Sequence, residues 1–99
     1  MRMPAYVLLM KLTTEGARAA KDIPARIDEG IKAFESMGGS VSSFHVTMGP
    51  YDYVAVGEAP ADEVAAAFAM VLASRGFVTT TTMKAFTAEE IRAVVSRLP

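Results

Sequence analysis

The middle of the chain limits the fold most. Residues 40–48 alternate apolar and polar side chains, residues 53–58 run apolar, and Gly49-Pro50-Tyr51-Asp52 lies between them. Alternation with a period of two marks a half-buried strand, and Gly, Pro and Asp at a junction set a tight turn. The segment therefore reads as an antiparallel hairpin. If the turn is four residues long and the ladder regular, Met48 faces Tyr53 and His45 faces Val56. Phe44, Val46 and Met48 then share one face. Ser43, His45 and Thr47 share the other with Val54, Val56 and Glu58. A bulge at the turn would exchange the two faces.

The segments on either side complete the pattern. Residues 6–12 (YVLLMKL) form a short, nearly continuous apolar run, as expected of a strand covered on both faces. Residues 17–21 allow a short helical turn. Pro24 fits the first turn of a longer helix, and Ile23, Ile27, Ile31 and Phe34 form one stripe along it. Gly38-Gly39 stops it. After the hairpin, acids at 62 and 63 open a second helix that runs to Arg75 and ends at Gly76. Val64, Phe68, Val71 and Leu72 lie on one side of it. Residues 77–86, with threonine at 79–82, read as a last strand. Thr87 and Glu90 have the spacing of a capping box, ahead of a closing helix striped by Ile91, Val94, Val95 and Leu98. The order β-α-β-β-α-β, then α, predicts one α+β domain over residues 1–99. It is the ferredoxin-like arrangement, with a four-stranded antiparallel sheet and both main helices on one face.

That arrangement leaves the other sheet face open. Such a face is normally polar, yet the first and third strands place apolar side chains on both sides. The whole chain is 52% apolar with a mean hydropathy of +0.28, in only 99 residues. An exposed apolar patch of this kind marks an interaction surface. The predicted solution is a homodimer, or a larger dimer-based oligomer, closed sheet to sheet. The alternatives are a monomer that tolerates the patch and one that covers it with its last helix.

The totals exclude several classes. Ten basic residues against eleven acidic ones give a net charge of -1, so no nucleic-acid partner is expected. The absence of cysteine removes disulfides, thiolate metal sites and a cysteine nucleophile. One histidine cannot build a multi-histidine metal site, and no metal or cofactor is expected. Met1-Arg2 and the run behind them are too short for a leader. The apolar stretch at 64–73 is too short to span a membrane. A cytoplasmic protein without a membrane partner is the expectation.

The segment from Met48 to Glu63 (MGPYDYVAVGEAPADE), the later TTTMKAFT at 80–87, and upstream Thr14-Glu15-Gly16, Lys21-Asp22, Pro24, Arg26 and Gly38-Gly39 resemble the GYD-domain family. The likeness covers nearly the whole chain. Ile23, where a small polar residue is common, and Phe77, where asparagine is common, depart from it; the first weakens the helix cap that the resemblance implies and leaves Asp22 as its substitute. The resemblance implies a dimeric α/β barrel of two ferredoxin-like halves, and no particular activity. The wider barrel group includes cofactor-independent monooxygenases and lactone isomerases, a fold analogy only.

Candidate site residues follow from side-chain chemistry. His45 has the one side chain whose reference pKa is near neutrality, which suits a general base or an orienting donor. Tyr51 and Asp52 sit at the hairpin turn, where they serve either the turn or the rim of a pocket. These three are the catalytic candidates. Lys21 and Arg26 flank a helix start and suit an anion, or else surface ion pairs. Lys11, Glu58 and Lys84 lie in or at the ends of strands and complete the ligand-binding candidates. The first expectation is a binding protein that takes a small organic ligand between sheet and partner subunit. A cofactor-independent isomerase or monooxygenase using His45 with Tyr51 or Asp52 is the second. A purely structural assembly module is the third.

Overall fold

A computed structural model describes residues 3–99. Met1 and Arg2, considered above as the start of a leader, lie outside the described residues. Strand β1 (Ala5–Leu12) is followed by a one-turn helix α1 (Thr14–Arg18), a 3-10 turn and helix α2 (Ile23–Ser36). The hairpin follows as β2 (Ser40–Val46) and β3 (Tyr53–Glu58), then α3 (Asp62–Arg75), β4 (Val78–Ala85) and a short α4 (Glu90–Val95). The four strands form one antiparallel sheet in the order β2-β3-β1-β4. This is the ferredoxin-like layout predicted from the element order.

The apolar β1 occupies an interior position, hydrogen-bonded on both edges, as a run with little alternation requires. Tyr6, Leu8 and Met10 from β1, with Tyr53 and Ala55 from β3, turn one way and meet Phe34 of α2 and Phe68 and Leu72 of α3. The Phe34 and Phe68 rings pack tilted, with centroids 4.8 Å apart. Phe34 also lies against the bare backbone of Gly39, where a Cβ would come within 2.6 Å of the ring. The Gly-Gly that stops α2 thus also seats its last core aromatic.

The hairpin is wider than predicted. Val46, not Met48, pairs with Tyr53, and His45 pairs with Val54, not Val56. Residues 47–52 form the loop. Its neck is closed by the Thr47 amide on the Asp52 carbonyl (2.8 Å) and the Thr47 hydroxyl on the Tyr51 carbonyl (2.6 Å). Met48 is therefore fully exposed in the loop rather than in the ladder. The register moves by two, an even number, so the predicted face assignment survives. The irregularity falls inside β2, between Val41 and Ser43, away from the turn.

The helix starts differ in one respect. Asp22 occupies the cap position of α2 but its side chain makes no capping bond. The 3-10 turn runs straight into α2, so the Asp22 backbone is already helical, whereas a capping side chain needs extended backbone. Thr13 does cap α1, accepting the Gly16 amide at 3.1 Å. Ahead of α4 the capping box closes both ways, Glu90 amide to Thr87 hydroxyl at 3.0 Å and Thr87 amide to Glu90 carboxylate at 2.9 Å. Yet residues 91–99 are all exposed, so α4 does not cover the open sheet face.

Candidate functional site

The sheet separates the predicted site residues into groups. On the open face, β1 presents Val7, Leu9 and Lys11. Pairing sets Val56 and Met83 beside Val7, and Val54 and Thr81 beside Leu9. His45 continues the Leu9 row and Ser43 the Val7 row. The result is an apolar stripe of Val7, Leu9, Val54, Val56 and Met83 across three strands. Met83 is 43% exposed. Lys11, His45 and Glu58 border the stripe, brought to one face by strand alternation alone.

The His45 side chain is exposed and forms no hydrogen bond with the described residues. Lys11 reaches over the hairpin loop, its Nζ 5.3 Å from the centre of the Tyr51 ring, at the outer range of a cation–π contact. Asp52 does not face this stripe with a free carboxylate. Its Oδ2 accepts the Leu12 amide at 2.8 Å, and its own amide donates to the Met10 carbonyl at 2.8 Å. It locks the hairpin loop onto the end of β1. The three catalytic candidates are thus not joined by any hydrogen bond.

Lys84 belongs to the other face, in the row of Tyr6. Its Nζ lies 3.1 Å from Oδ1 of Asp62, the first residue of α3, and the Tyr6 hydroxyl donates to the same carboxylate at 2.5 Å. Burial pushes the Tyr6 hydroxyl up to about 12, with the Asp62 hydrogen bond and the charges of Asp62 and Glu63 adding to it. Asp62 moves the other way. The Tyr6 hydrogen bond, then that from Lys84, hold its carboxyl below the usual range, against a smaller opposing effect of desolvation. Tyr6 and Asp62 were not singled out from sequence. They are 56 positions apart, and a tyrosine in an apolar run reads as core.

Lys21 is exposed in the 3-10 turn. Arg26 folds inward instead. Its guanidinium stacks 3.9 Å from the Phe77 ring centre and donates to the carbonyls of Gly16 and Ala19, both at 3.3 Å. Tyr53, in the core behind it, has its hydroxyl pushed up by burial. The charge of Asp52 adds to that shift and that of Arg26 opposes it. Arg26 also borders an apolar cavity of about 100 Å³ between the two long helices and the sheet. That cavity is on the opposite side of the sheet from Lys11, His45 and Glu58, so it is separate from the inter-subunit pocket expected above.

Among the described residues, no group of three or more His, Cys, Asp or Glu is placed to hold a metal ion, and no helix is long and apolar enough to cross a membrane. The fold is that of a small α+β domain of the ferredoxin-like type, with one face of its sheet left open. The GYD-domain model matches residues 6–95, and the chain belongs to that family. It is 38% identical over 84 residues to the "Glutamine synthetase and cystathionine beta-lyase binding protein" of Thermus thermophilus, covering 84% of this chain and 88% of the relative. No solved structure matches the chain significantly.

Proposed function

We propose that this chain is a homodimeric protein-binding module that docks on a metabolic enzyme and acts through that contact rather than by catalysis. The observation that carries the reading is the open sheet face. Val7, Leu9, Val54, Val56 and Met83 form an apolar stripe on one side of a domain whose other side is already covered by helices. A two-fold partner buries such a stripe against its own copy, with Lys11, His45 and Glu58 as the polar border of the contact. That leaves the second apolar surface, Phe86 (56% exposed) with Ile91, Val94, Val95 and Leu98 (67%), for a different protein. The similarity to a relative whose name states that it binds glutamine synthetase and cystathionine β-lyase supports an enzyme of that kind as the partner.

The test is sedimentation velocity, first on the chain alone and then, separately, with purified glutamine synthetase and cystathionine β-lyase from the same cell. The expected result is a particle of twice 10.5 kDa at micromolar concentration, which then co-sediments with one or both enzymes. A 10.5 kDa particle overturns the dimer. A dimer that sediments apart from both glutamine synthetase and cystathionine β-lyase overturns the proposed partner.

A further inference from the structure

Helix α2 carries a glycine in its interior, Gly30, that no neighbour requires. A Cβ built there meets no heavy atom within 4 Å. Glycine weakens a helix interior relative to alanine, and close helix packing, the usual reason to accept that, is missing. What the missing side chain leaves open is the cavity of about 100 Å³ that Gly30 borders. Leu8 and Met10 of β1 form its floor, Ile27 and Phe34 of α2 one wall, and Phe68 and Leu72 of α3 the other. Among the described residues, no large side chain in this core is completely sealed from solvent. The space is apolar, so water gains few partners in it.

One end of the cavity is charged. Arg26, Arg75 and Glu29 border it, beside Phe77. The Arg26 side chain is only 18% exposed. Its ion pair with Asp22 is long, 3.9 Å, and Asp22 itself is 72% exposed. Two of its five N–H groups serve the carbonyls of Gly16 and Ala19. The others make no hydrogen bond within the described residues, and a bound carboxylate that displaced the distant, exposed Asp22 would meet them in the paired geometry that guanidinium favours.

We propose that the cleft between α2 and α3 binds a carboxylate carrying an aliphatic chain of about four or five carbons, sized against the six carbons of benzene that a cavity of about 150 Å³ takes. The chain lies over Leu8 and Met10 beneath Gly30, and the carboxylate meets Arg26, with the exposed Arg75 adding positive charge. Glu29, exposed and one helical turn from Arg26 at the cavity's border, disfavours a second carboxylate and suits an ammonium. The ligand is thus either a simple aliphatic acid or an apolar α-amino acid. The inference is independent of the dimer and of any enzyme partner.

The experiment is titration of the isotope-labelled full chain, followed by amide NMR, with 4-methylpentanoate, leucine and 4-methylpentan-1-ol. Saturable shifts at Arg26, Gly30, Phe34 and Leu72 are expected with at least one of the two acids. The stronger of the two identifies the source. The alcohol, with the same tail and no carboxylate, should bind at least about tenfold more weakly. Gly30→Leu fills the cleft and should abolish the shifts, while Gly30→Ala, which adds one methyl without a clash, should weaken binding less. No saturable shift with either acid at millimolar concentration overturns the proposal. So do shifts centred on the open sheet face, equal binding of the alcohol, undiminished binding by Gly30→Leu, or intermolecular contacts from Leu98 of a second copy to Phe34. Mapping on the unaltered chain decides the matter should Gly30→Leu not fold.

Discussion

The carboxylate of Asp52 accepts the backbone amide of Leu12 at 2.8 Å, forty residues away, while the Asp52 amide donates to Met10. One residue thereby joins the hairpin loop to the end of β1. Asp52→Ala leaves the half-buried Leu12 amide without its acceptor. The expected loss is about 1–2 kcal/mol, the lower part of the range for an unsatisfied donor because solvent has partial access. Asp52→Asn keeps an acceptor oxygen and should recover most of it. Urea unfolding measures both, and an Asp52→Ala midpoint equal to the parent's would remove this structural role.

Two glycines predict opposite signs for the same substitution. A Cβ on Gly16 would lie 2.2 Å from the Phe77 carbonyl oxygen, which also accepts the Thr13 amide at 3.0 Å. Backbone has to move, and Gly16→Ala should cost about 1–3 kcal/mol. Gly30 faces open space, so Gly30→Ala should stabilise by about 0.5–1 kcal/mol through helix propensity. Thermal unfolding of the two variants should move in opposite directions, and a common direction contradicts the packing described.

The Tyr6–Asp62 pair makes stability depend on pH at both extremes. The Tyr6 hydroxyl is raised in the fold. Its contribution is complete below pH 10, its ordinary value, and is lost as pH rises toward about 12. Asp62 is lowered from 3.8. Its contribution is present above that value and is lost as pH falls through its folded one. Tyr6→Phe should flatten the alkaline limb of a melting-temperature profile and reduce the acid limb. Asp62→Asn should flatten the acid limb. An unchanged alkaline limb in Tyr6→Phe would assign that transition to other groups.

Local pattern carried most of the fold, and failures came where distant groups decide the outcome. The apolar run of β1, the Ile23–Ile27–Ile31–Phe34 stripe, the Gly76 stop and the Thr87–Glu90 box are short-range signals, and each forms the predicted element. The hairpin register shifted because the Asp52 backbone and side chain answer to β1, a partner that a hairpin read in isolation does not contain. Asp22 failed as a cap because the 3-10 turn before it fixed its backbone. Alternation placed His45 and Glu58 on one face. It could not show that Arg26 turns inward onto Phe77, because that contact spans 51 positions and depends on how β4 meets α2. Nor does any pattern of period two or 3.6 reveal a cavity, which reflects side chains that are absent.

Leu8 and Leu9 are adjacent in β1 and should report different states of assembly. Leu8 is 7% exposed beneath the helices, and Leu8→Ala should cost about 2–4 kcal/mol by leaving a cavity, with no change in particle mass. Leu9 lies on the open face between Val54 and Thr81. A charge there faces solvent in a monomer and would be buried unpaired in a sheet-to-sheet dimer. Leu9→Glu should therefore keep the fold but halve the sedimenting mass. It should also lower the melting temperature, because a partner that binds only the folded chain stabilises it by mass action. Circular dichroism together with sedimentation separates these outcomes. A Leu9→Glu variant that keeps the parent's mass would move the subunit contact to another surface, with the exposed stripe of α4 the next to test.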